Sequence, residues 1–264
     1  LVMVRALLGD EALRKGLKAY FDAHQYGNAT GADLWQALGD ASGLDVGAIM
    51  TSWLEQPGYP VVTAAVVDGQ LTLSQQQFFI GESEEKGRQW QVPLNSNYEA
   101  VPELLTEHEI VVGDYQQLRE QNGQPFQLNV GNNSHFIVKY DETLLADLAQ
   151  AATNLSAISQ LQLLQDQRLL SEGRLTSYAS VVPLLQNFAN SEHVIVTIAL
   201  YDVANNLKKF VTPDSDAERE LQVFFDNLSR NQVDRLGWHA QSGDSIEDVI
   251  TRPLVLRAAL YAQN

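Results

Sequence analysis

The sequence predicts a multi-domain protein with α and β structure: a helical segment, then a small antiparallel β-sandwich, then an α-solenoid-like array of helices. The prediction depends on two changes in the spacing of apolar residues. The apolar residues follow α-helical spacing up to residue 56, alternate with polar residues from residue 59, and return to helical spacing from residue 142. We therefore expect domains at residues 1–59, 60–141 and 142–264, the last of them truncated.

The first segment contains the start and stop patterns of short helices. Asp10 can cap a helix, because a carboxylate accepts hydrogen bonds from free N–H groups at a helix start. The apolar face of this helix consists of Leu13, Leu17, Tyr20, Phe21 and His24. Thr30 and Asp33 form a capping-box pattern, and Asp45 can cap a further helix. Pro57-Gly58 ends that helix, because proline cannot continue its hydrogen-bond ladder.

The second segment begins with a β-hairpin pattern. Pro60–Val67 and Gln70–Ile80 flank Asp68-Gly69, a two-residue turn sequence that tolerates the positive φ angles of a tight hairpin. Later alternating residues predict further strands, two of them joined across Gly131–Asn133. These residues are Trp90, Val92 and Leu94; Phe126, Leu128 and Val130; and Phe136, Val138 and Tyr140. Ser83–Gly87 is expected to be an exposed acidic loop.

The third segment returns to helical spacing at Glu142, with Leu144, Leu145 and Leu148 on one face. Two capping patterns precede later apolar faces: Ser215 with Glu218, and Ser245 with Asp248. Proline residues at 183 and 253 are expected to start or kink helices. Consecutive helices with short polar breaks are typical of the stacked helical hairpins of α-solenoids.

Composition argues against several classes of function. The net charge is -16, and acidic residues exceed basic ones in all three segments, which disfavours nucleic-acid binding because phosphate contacts need clustered Lys and Arg. The sequence contains no apolar run of about 18 residues, so we expect no membrane-spanning helix and no membrane partner. It also contains no cysteine, which excludes disulfides and thiolate chemistry and is consistent with a cytoplasmic protein.

No catalytic, cofactor-binding or metal-binding residue is predicted. The H-E-x-x-H zinc motif needs two histidines four residues apart on one helix face, and no two of the five histidines have that spacing. His24 is expected to be a core or interface residue, and Glu107-His108-Glu109 to be a solvated strand face. Trp53 and Trp90 are expected to anchor domain cores or the boundary between domains. Zinc ligands or a Ser-His-Asp triad assembled only in the folded chain are not excluded by sequence.

Several segments resemble the aminopeptidase N family of zinc metallopeptidases. Residues 8–38 and 49–62, which read LGDEALRKGLKAYFDAHQYGNATGADLWQAL and IMTSWLEQPGYPVV, resemble the last helices of that family's thermolysin-like catalytic domain. The stretches LTLSQQQFF, WQVPL and LNVGNNSHFIVKYD are similar to strands of its β-sandwich. The stretches LLQDQRLLSEGRLTSYASVVPLL, LGWHAQSGDS and RPLVLRAALY resemble the start of its C-terminal helical domain.

One stretch departs from the family pattern. Where the family has Gly-aromatic-Arg-Val, this chain has His135-Phe136-Ile137-Val138. The arginine is missing, so no role of that residue is carried over to this chain.

The resemblance implies a C-terminal fragment of a zinc-dependent aminopeptidase that removes N-terminal amino acids from peptides. It implies zinc in the parent enzyme and none bound by this segment, because the family's zinc ligands, exopeptidase motif and oxyanion-stabilising tyrosine all lie upstream. The segment is expected to be scaffold and to enclose substrate, with peptides and the rest of the catalytic domain as partners. It is expected to be inactive alone. The alternative is a non-catalytic protein-interaction module built from the β-sandwich and the helical array.

Overall fold

The computed structural model describes residues 1–81, 83–84 and 86–262. It divides into two compact units, Leu1–Leu145 and Ala146–Asn264. Both units contain buried apolar cores, and the first combines helices with sheets. Glu82 and Glu85, beside and within the predicted acidic loop Ser83–Gly87, lie outside the described residues.

Three helices form the first part of unit one: α1 (Val2–Ala23), α2 (Gly31–Ser42) and α3 (Val46–Leu54). A helical stretch does begin beside Asp10, after the break at Gly9, but the Asp10 carboxylate binds Arg5 and not the free N–H groups of that stretch. Helix α1 starts at Val2 and is interrupted at Gly9, which has a φ of 75° and a ψ of 162°. The Asp10 carboxylate instead accepts a hydrogen bond of 2.6 Å from Nε of Arg5.

The other predicted helix starts are confirmed. The hydroxyl of Thr30 accepts a hydrogen bond from the Asp33 N–H, and the Asp33 carboxylate accepts one from the Thr30 N–H at 2.7 Å. The Asp45 carboxylate accepts a 2.8 Å hydrogen bond from the N–H of Ala48. The three helices share a small core to which Met3, Leu8, Leu13 and Leu17 contribute partly buried side chains. Its fully buried members are Val4, Leu38, Val46 and Met50.

The described residues contain six strands: β1 (Pro60–Val67), β2 (Gln70–Gln77), β3 (Val92–Pro93), β4 (Leu104–Leu105), β5 (Glu109–Asp114) and β6 (Ile137–Tyr140). The hairpin of β1 and β2 is confirmed, although β2 ends at Gln77 and does not reach Ile80. Asp68 and Gly69 have φ angles of 50° and 79°, as a tight hairpin turn requires.

The main sheet is mixed and not wholly antiparallel. Its strand order is β5-β2-β1-β6, and β6 runs parallel to β1, with Val61 opposite Ile137. A parallel pair needs a long crossover connection, and the whole chain between Val67 and Ile137 provides it. Strands β3 and β4 form a separate two-stranded ladder.

The predicted strand Phe126–Val130 is wrong. This stretch is a loop that lies beside residues 94–97, with the N–H of Asn129 donating to the carbonyl of Leu94 at 2.8 Å. Phe126 and Leu128 are nevertheless buried in the core. Their alternating spacing therefore reflects burial of these two side chains, although the backbone here is not part of a sheet. The sequence also did not predict α4 (Tyr115–Asn122), an eight-residue helix that follows β5.

The rest of the described chain is helical: α5 (Glu142–Gln150), α6 (Ala157–Glu172), α7 (Val181–Phe188), α8 (Val194–Leu207), α9 (Asp216–Leu236) and α10 (Ile246–Ala262). In unit two, α6 packs against α7 and α8, and α10 packs against α8 and α9. Both capping serines accept the predicted backbone hydrogen bond, from Glu218 and Asp248. Pro183 lies in the first turn of α7, whereas Pro253 lies inside α10. No helix among the described residues is both long and apolar enough to cross a membrane.

Candidate functional site

The histidines do not gather into a metal site. Among the described residues, no group of three or more His, Asp or Glu side chains is placed to hold a metal ion. The described residues therefore offer no set of ligands that fits a zinc ion. The His24 ring lies 5.3 Å from the ring of Tyr20 and is half-buried, and the His135 ring lies 4.8 Å from that of Tyr59.

The acidic stretch Glu107-His108-Glu109 is exposed along its whole length. The Glu107 carboxylate accepts a 3.0 Å hydrogen bond from the hydroxyl of Thr106. The carbonyl of His108 accepts one from the N–H of Gln75. These contacts fit the interpretation of this stretch as a solvated surface.

The two tryptophans pack at the boundary between helix α3 and the strands. Trp90 is buried, and its ring centre lies 6.4 Å from that of Trp53. The indole N–H of Trp53 donates to the carbonyl of Gln91 at 2.9 Å. Both residues therefore hold α3 to the segment before β3, which agrees with the structural role that the sequence predicts. In the stretch that departs from the family pattern, Phe136 and Ile137 are buried and His135 is exposed.

One candidate binding site is a cavity of about 290 Å³ in unit two, which we call the polar cleft. Its lining consists of Gln160, Asn187, Phe188, Asn190, Ser191, Glu192 and His193. The cleft forms where α7 ends at Phe188 and α8 begins at Val194, opposite the first turn of α6. The loop between α7 and α8 turns sharply, because the N–H of Ser191 donates to the carbonyl of Phe188 at 3.0 Å.

Buried amides fix the floor of the polar cleft. Gln160 is 4% exposed, and its Nε2 donates to the carbonyl of Leu155 at 2.9 Å. Its Oε1 accepts a 3.1 Å hydrogen bond from the hydroxyl of Ser191. The carbonyl of Ser191 accepts a 3.2 Å hydrogen bond from Nε2 of Gln232 on α9. Helices α6 and α9 therefore hold the loop in place.

The same network continues to charged residues at the start of α10. Nε of Arg235 donates to Oε1 of Gln232 at 2.8 Å, and Nη1 of Arg235 donates to Asp248 at 2.6 Å. The hydrogen bonds from Arg235 and Ser245 hold the pKa of the Asp248 carboxyl below its usual value. The hydrogen bond from Arg252 lowers the pKa of the Asp244 carboxyl in the same way.

The rim of the polar cleft carries side chains that are free to bind. Asn187, Asn190, Glu192 and His193 are exposed, and none makes a side-chain hydrogen bond or ion pair within the described part of the chain. Two amides, a carboxylate and an imidazole can bind a small polar ligand. The hydroxyl of Ser191 donates to an amide and not to a base, so the arrangement favours binding over nucleophilic catalysis.

Sequence reasoning named no residue of the polar cleft. One indication was present: Asn187–His193 includes the polar run NSEH between two apolar helical stretches. Gln160 could not be assigned to it, because only the packing of α6 beside that loop brings them together.

Comparison with known proteins identifies both ends of the chain. Residues 1–53 match the peptidase family M1 domain, and residues 126–264 match the ERAP1-like C-terminal domain. The polar cleft lies inside the second match.

Similar proteins cover the whole chain. It is 57% identical over 264 residues to an aminopeptidase N of Lactobacillus delbrueckii subsp. lactis and 58% identical over 265 residues to one of Lactobacillus helveticus. It is 32% identical over 276 residues to aminopeptidase M1 of Arabidopsis thaliana, with 97% of this chain covered. The chain spans 31% of the length of each of these relatives. With a peptidase M1 match at its start and an ERAP1-like match over more than half its length, the chain belongs to the aminopeptidase N family of M1 peptidases.

Proposed function

We propose that this chain is the C-terminal part of a zinc-dependent aminopeptidase that removes N-terminal amino acids from peptides. Its role in that enzyme is to support the catalytic domain and to enclose substrate, without contributing zinc ligands. The observation that carries the proposal is the order of the two family matches, a peptidase domain at residues 1–53 and an ERAP1-like domain at residues 126–264.

We assign residues 1–59 to the end of the catalytic domain, 60–141 to a β-sandwich domain and 142–264 to the start of a solenoid-like helical domain. Changes of secondary structure support both boundaries. Helix α3 ends at Leu54 and β1 starts at Pro60, and β6 ends at Tyr140 before α5 starts at Glu142.

The partners of this chain are peptide substrates and the remainder of the catalytic domain. Exposed apolar side chains on the first helix support the second partner, since Val2 is 65% and Phe21 64% exposed. Scattered single apolar side chains are normal on a surface, and these two provide some apolar area for docking. The acidic, cysteine-free composition supports a cytoplasmic location.

The alternative of a non-catalytic interaction module is not favoured, because residues 1–53 match a peptidase domain. Zinc belongs to the parent enzyme in our proposal. The described residues of this chain offer no cluster of ligands for it.

A chimera tests the proposal. The gene for the L. helveticus relative is altered so that its matched segment, 58% identical, is replaced by this chain. We expect the chimera to hydrolyse aminoacyl anilides and to lose that activity to a zinc chelator. The same gene truncated before the segment is the control and should be inactive. An inactive but folded chimera, or zinc binding with chelator-sensitive peptidase activity in this chain alone, would contradict the proposal.

A further inference from the structure

We propose that Asn122 is a site of spontaneous deamidation, where the side chain loses its amide through a cyclic imide and an aspartate or isoaspartate residue remains. The site lies at the end of α4, in unit one. The reacting groups are the carboxamide of Asn122 and the backbone nitrogen of Gly123. The inference does not depend on the proposed peptidase function.

The sequence distinguishes this asparagine from the others. Asn122-Gly123 is the only Asn-Gly pair among the 264 residues. A backbone nitrogen that attacks the preceding side chain must approach it closely, and a side chain on the attacking residue obstructs that approach. Glycine has no such side chain and adopts backbone conformations that other residues avoid. A Cβ built at Gly123 would meet no atom within 4 Å, so no neighbouring group packs against this turn.

Two hydrogen bonds restrain the reacting groups while α4 is folded. The N–H of Gly123 donates to the carbonyl of Arg119 at 3.0 Å. Nδ2 of Asn122 donates to the carbonyl of Leu118 at 2.7 Å. Both carbonyls belong to the last turn of α4. Opening of that turn therefore releases the backbone nitrogen and the carboxamide together.

The last turn of α4 opens at low cost. The helix has eight residues, and none of them is buried. A helix of this length is marginal by itself, and most helical stability in proteins comes from packing of an apolar face, which α4 lacks. Elements of this kind open locally with much less free energy than global unfolding requires. Asn122 is half-buried and Gly123 is exposed, so water reaches the pair.

The reaction balances with water as the only added reactant. The nitrogen of Gly123 attacks Cγ of Asn122, a C–N bond forms, and the side-chain nitrogen leaves as ammonia with the proton of the attacking nitrogen. Water then adds to one of the two imide carbonyls and opens the ring. Opening on one side gives aspartate at residue 122. Opening on the other side gives isoaspartate, which has an additional carbon atom in the backbone.

The product cannot restore the end of α4. A carboxylate at residue 122 has no N–H to donate to the carbonyl of Leu118. It also places negative charge at the carboxyl end of a helix, where the helix dipole opposes it. The chain after the site is fixed, because the hydroxyl of Tyr98 donates to the carbonyl of Gln124 at 2.8 Å. The additional backbone atom of isoaspartate therefore distorts α4.

The test is ageing of the intact 264-residue chain in mildly alkaline buffer, followed by peptide mapping with mass spectrometry. We expect Asn122 to convert faster than Asn190, which is more exposed but precedes a serine. Aspartate and isoaspartate should both form, and in oxygen-labelled water each should carry one oxygen atom from the solvent. Hydrogen exchange of the aged protein should show lost protection in residues 115–122 and unchanged protection in β1 and β2.

Variants at a helix start relate the rate to opening of α4. The Asp114 carboxylate caps α4 by accepting a 2.8 Å hydrogen bond from the N–H of Gln117. Asp114→Ala should raise the rate at Asn122 about fivefold, the increase in opening that loss of a typical cap produces. Asp114→Asn retains a good capping side chain and should leave the rate unchanged. Asp45→Ala is the matched control, because it removes the equivalent hydrogen bond, from Ala48, in α3.

Three results would overturn the proposal: slower conversion of Asn122 than of Asn190, formation of aspartate without isoaspartate, or equal effects of Asp114→Ala and Asp45→Ala on the rate. Circular dichroism checks that each variant is folded before ageing. The readout is the covalent state of this chain. Failure of the chimera described above would therefore leave the proposal unaffected, and absence of deamidation would not bear on the peptidase assignment.

Discussion

Arg252 is a buried cation with two partners of different kinds. It is 7% exposed, and its Nε donates to the carbonyl of Leu236 at 3.1 Å. Its Nη2 donates to the Asp244 carboxylate at 2.6 Å. Leu236 ends α9 and Asp244 precedes α10, so this one side chain fixes the connection between the two helices.

Replacing this cation should destabilise unit two. In Arg252→Met the carboxylate of Asp244 and the carbonyl of Leu236 lose their donor while they remain largely shielded from water. We expect the melting temperature of unit two to fall by several degrees. Arg219→Met is the control, because the ion pair of Arg219 with Asp216 is exposed and should contribute little. Equal effects of the two variants would show that burial of Arg252 is unimportant.

The Asp244 carboxyl should make the stability of unit two depend on acid pH. The hydrogen bond from Arg252 lowers its pKa in the folded protein, so the folded state binds this proton less tightly than the unfolded chain. The stabilisation is complete above the unfolded pKa of about 3.9 and is lost as pH falls through the lower folded value.

We therefore expect wild type to be more stable than Asp244→Asn at pH 7, with a difference that shrinks below about pH 4. Urea unfolding at several pH values, followed by hydrogen exchange in α9 and α10, measures it. A difference that stays constant down to the lowest pH would show that this carboxyl does not titrate with folding.

At the scale of elements, local patterns in the sequence predicted local structure. Thr30 with Asp33, and Asp45, cap helices because the bonded atoms are within three residues of each other. Pairing of β6 with β1 could not be predicted, because Val61 and Ile137 meet only after the intervening chain has folded. Helix α4 has no buried residue and hence no apolar stripe, and only its Asp114 cap and Gly123 end could have indicated it.

Asp141 makes a second contact that local sequence patterns could not predict. The sequence placed it at the end of a strand, but its carboxylate accepts hydrogen bonds from the N–H groups of Val66 and Leu144, both at 2.7–2.8 Å. It thus caps α5 and binds β1 at once. The polar cleft was not predictable for a similar reason, since Gln160 and Ser191 are far apart in sequence.

The hairpin turn gives a prediction about backbone conformation. A Cβ at Gly69 would meet no atom within 4 Å, so Gly69→Ala changes only the strain of its φ of 79°. We expect the hairpin to lose about 1 kcal/mol, the cost of a left-handed conformation for a residue with a side chain. Hydrogen exchange of β1 and β2 measures it. Gly27→Ala is the control, because no left-handed φ is required there and its nearest contact would be 3.7 Å.

The contact of α1 with α2 depends on Gly16. A Cβ there would lie 2.7 Å from Cδ2 of Leu38 and 2.9 Å from its Cα, which is backbone and cannot move alone. We expect Gly16→Ala to destabilise the helical pair by about 1–3 kcal/mol, as overpacking does. Gly47→Ala in α3 should have the opposite sign, since its Cβ would meet only Asp45 Oδ1 at 3.4 Å and alanine favours helix. Increased stability of Gly16→Ala in urea unfolding would show that the two helices can separate freely.

At the scale of the whole molecule, the chain consists of two compact units with separate buried cores. Leu73 lies in the sheet of the first unit, and Leu200 lies on α8 in the second. Both side chains are almost completely buried. Because each unit has its own core, each can in principle unfold by itself.

We therefore expect two separable unfolding transitions, each sensitive to one core. Leu73→Ala should lower the stability of the first unit and Leu200→Ala that of the second, each by about 2–5 kcal/mol, the usual cost of a cavity in a core. Hydrogen exchange followed by mass spectrometry in increasing urea assigns each transition, since peptides from residues 60–77 and 194–207 report separately. If both variants shifted both sets of peptides equally, the chain would unfold as one cooperative unit. In that case the boundary near residue 145 would divide the contacts of the chain into two groups, but the two units would share one unfolding transition.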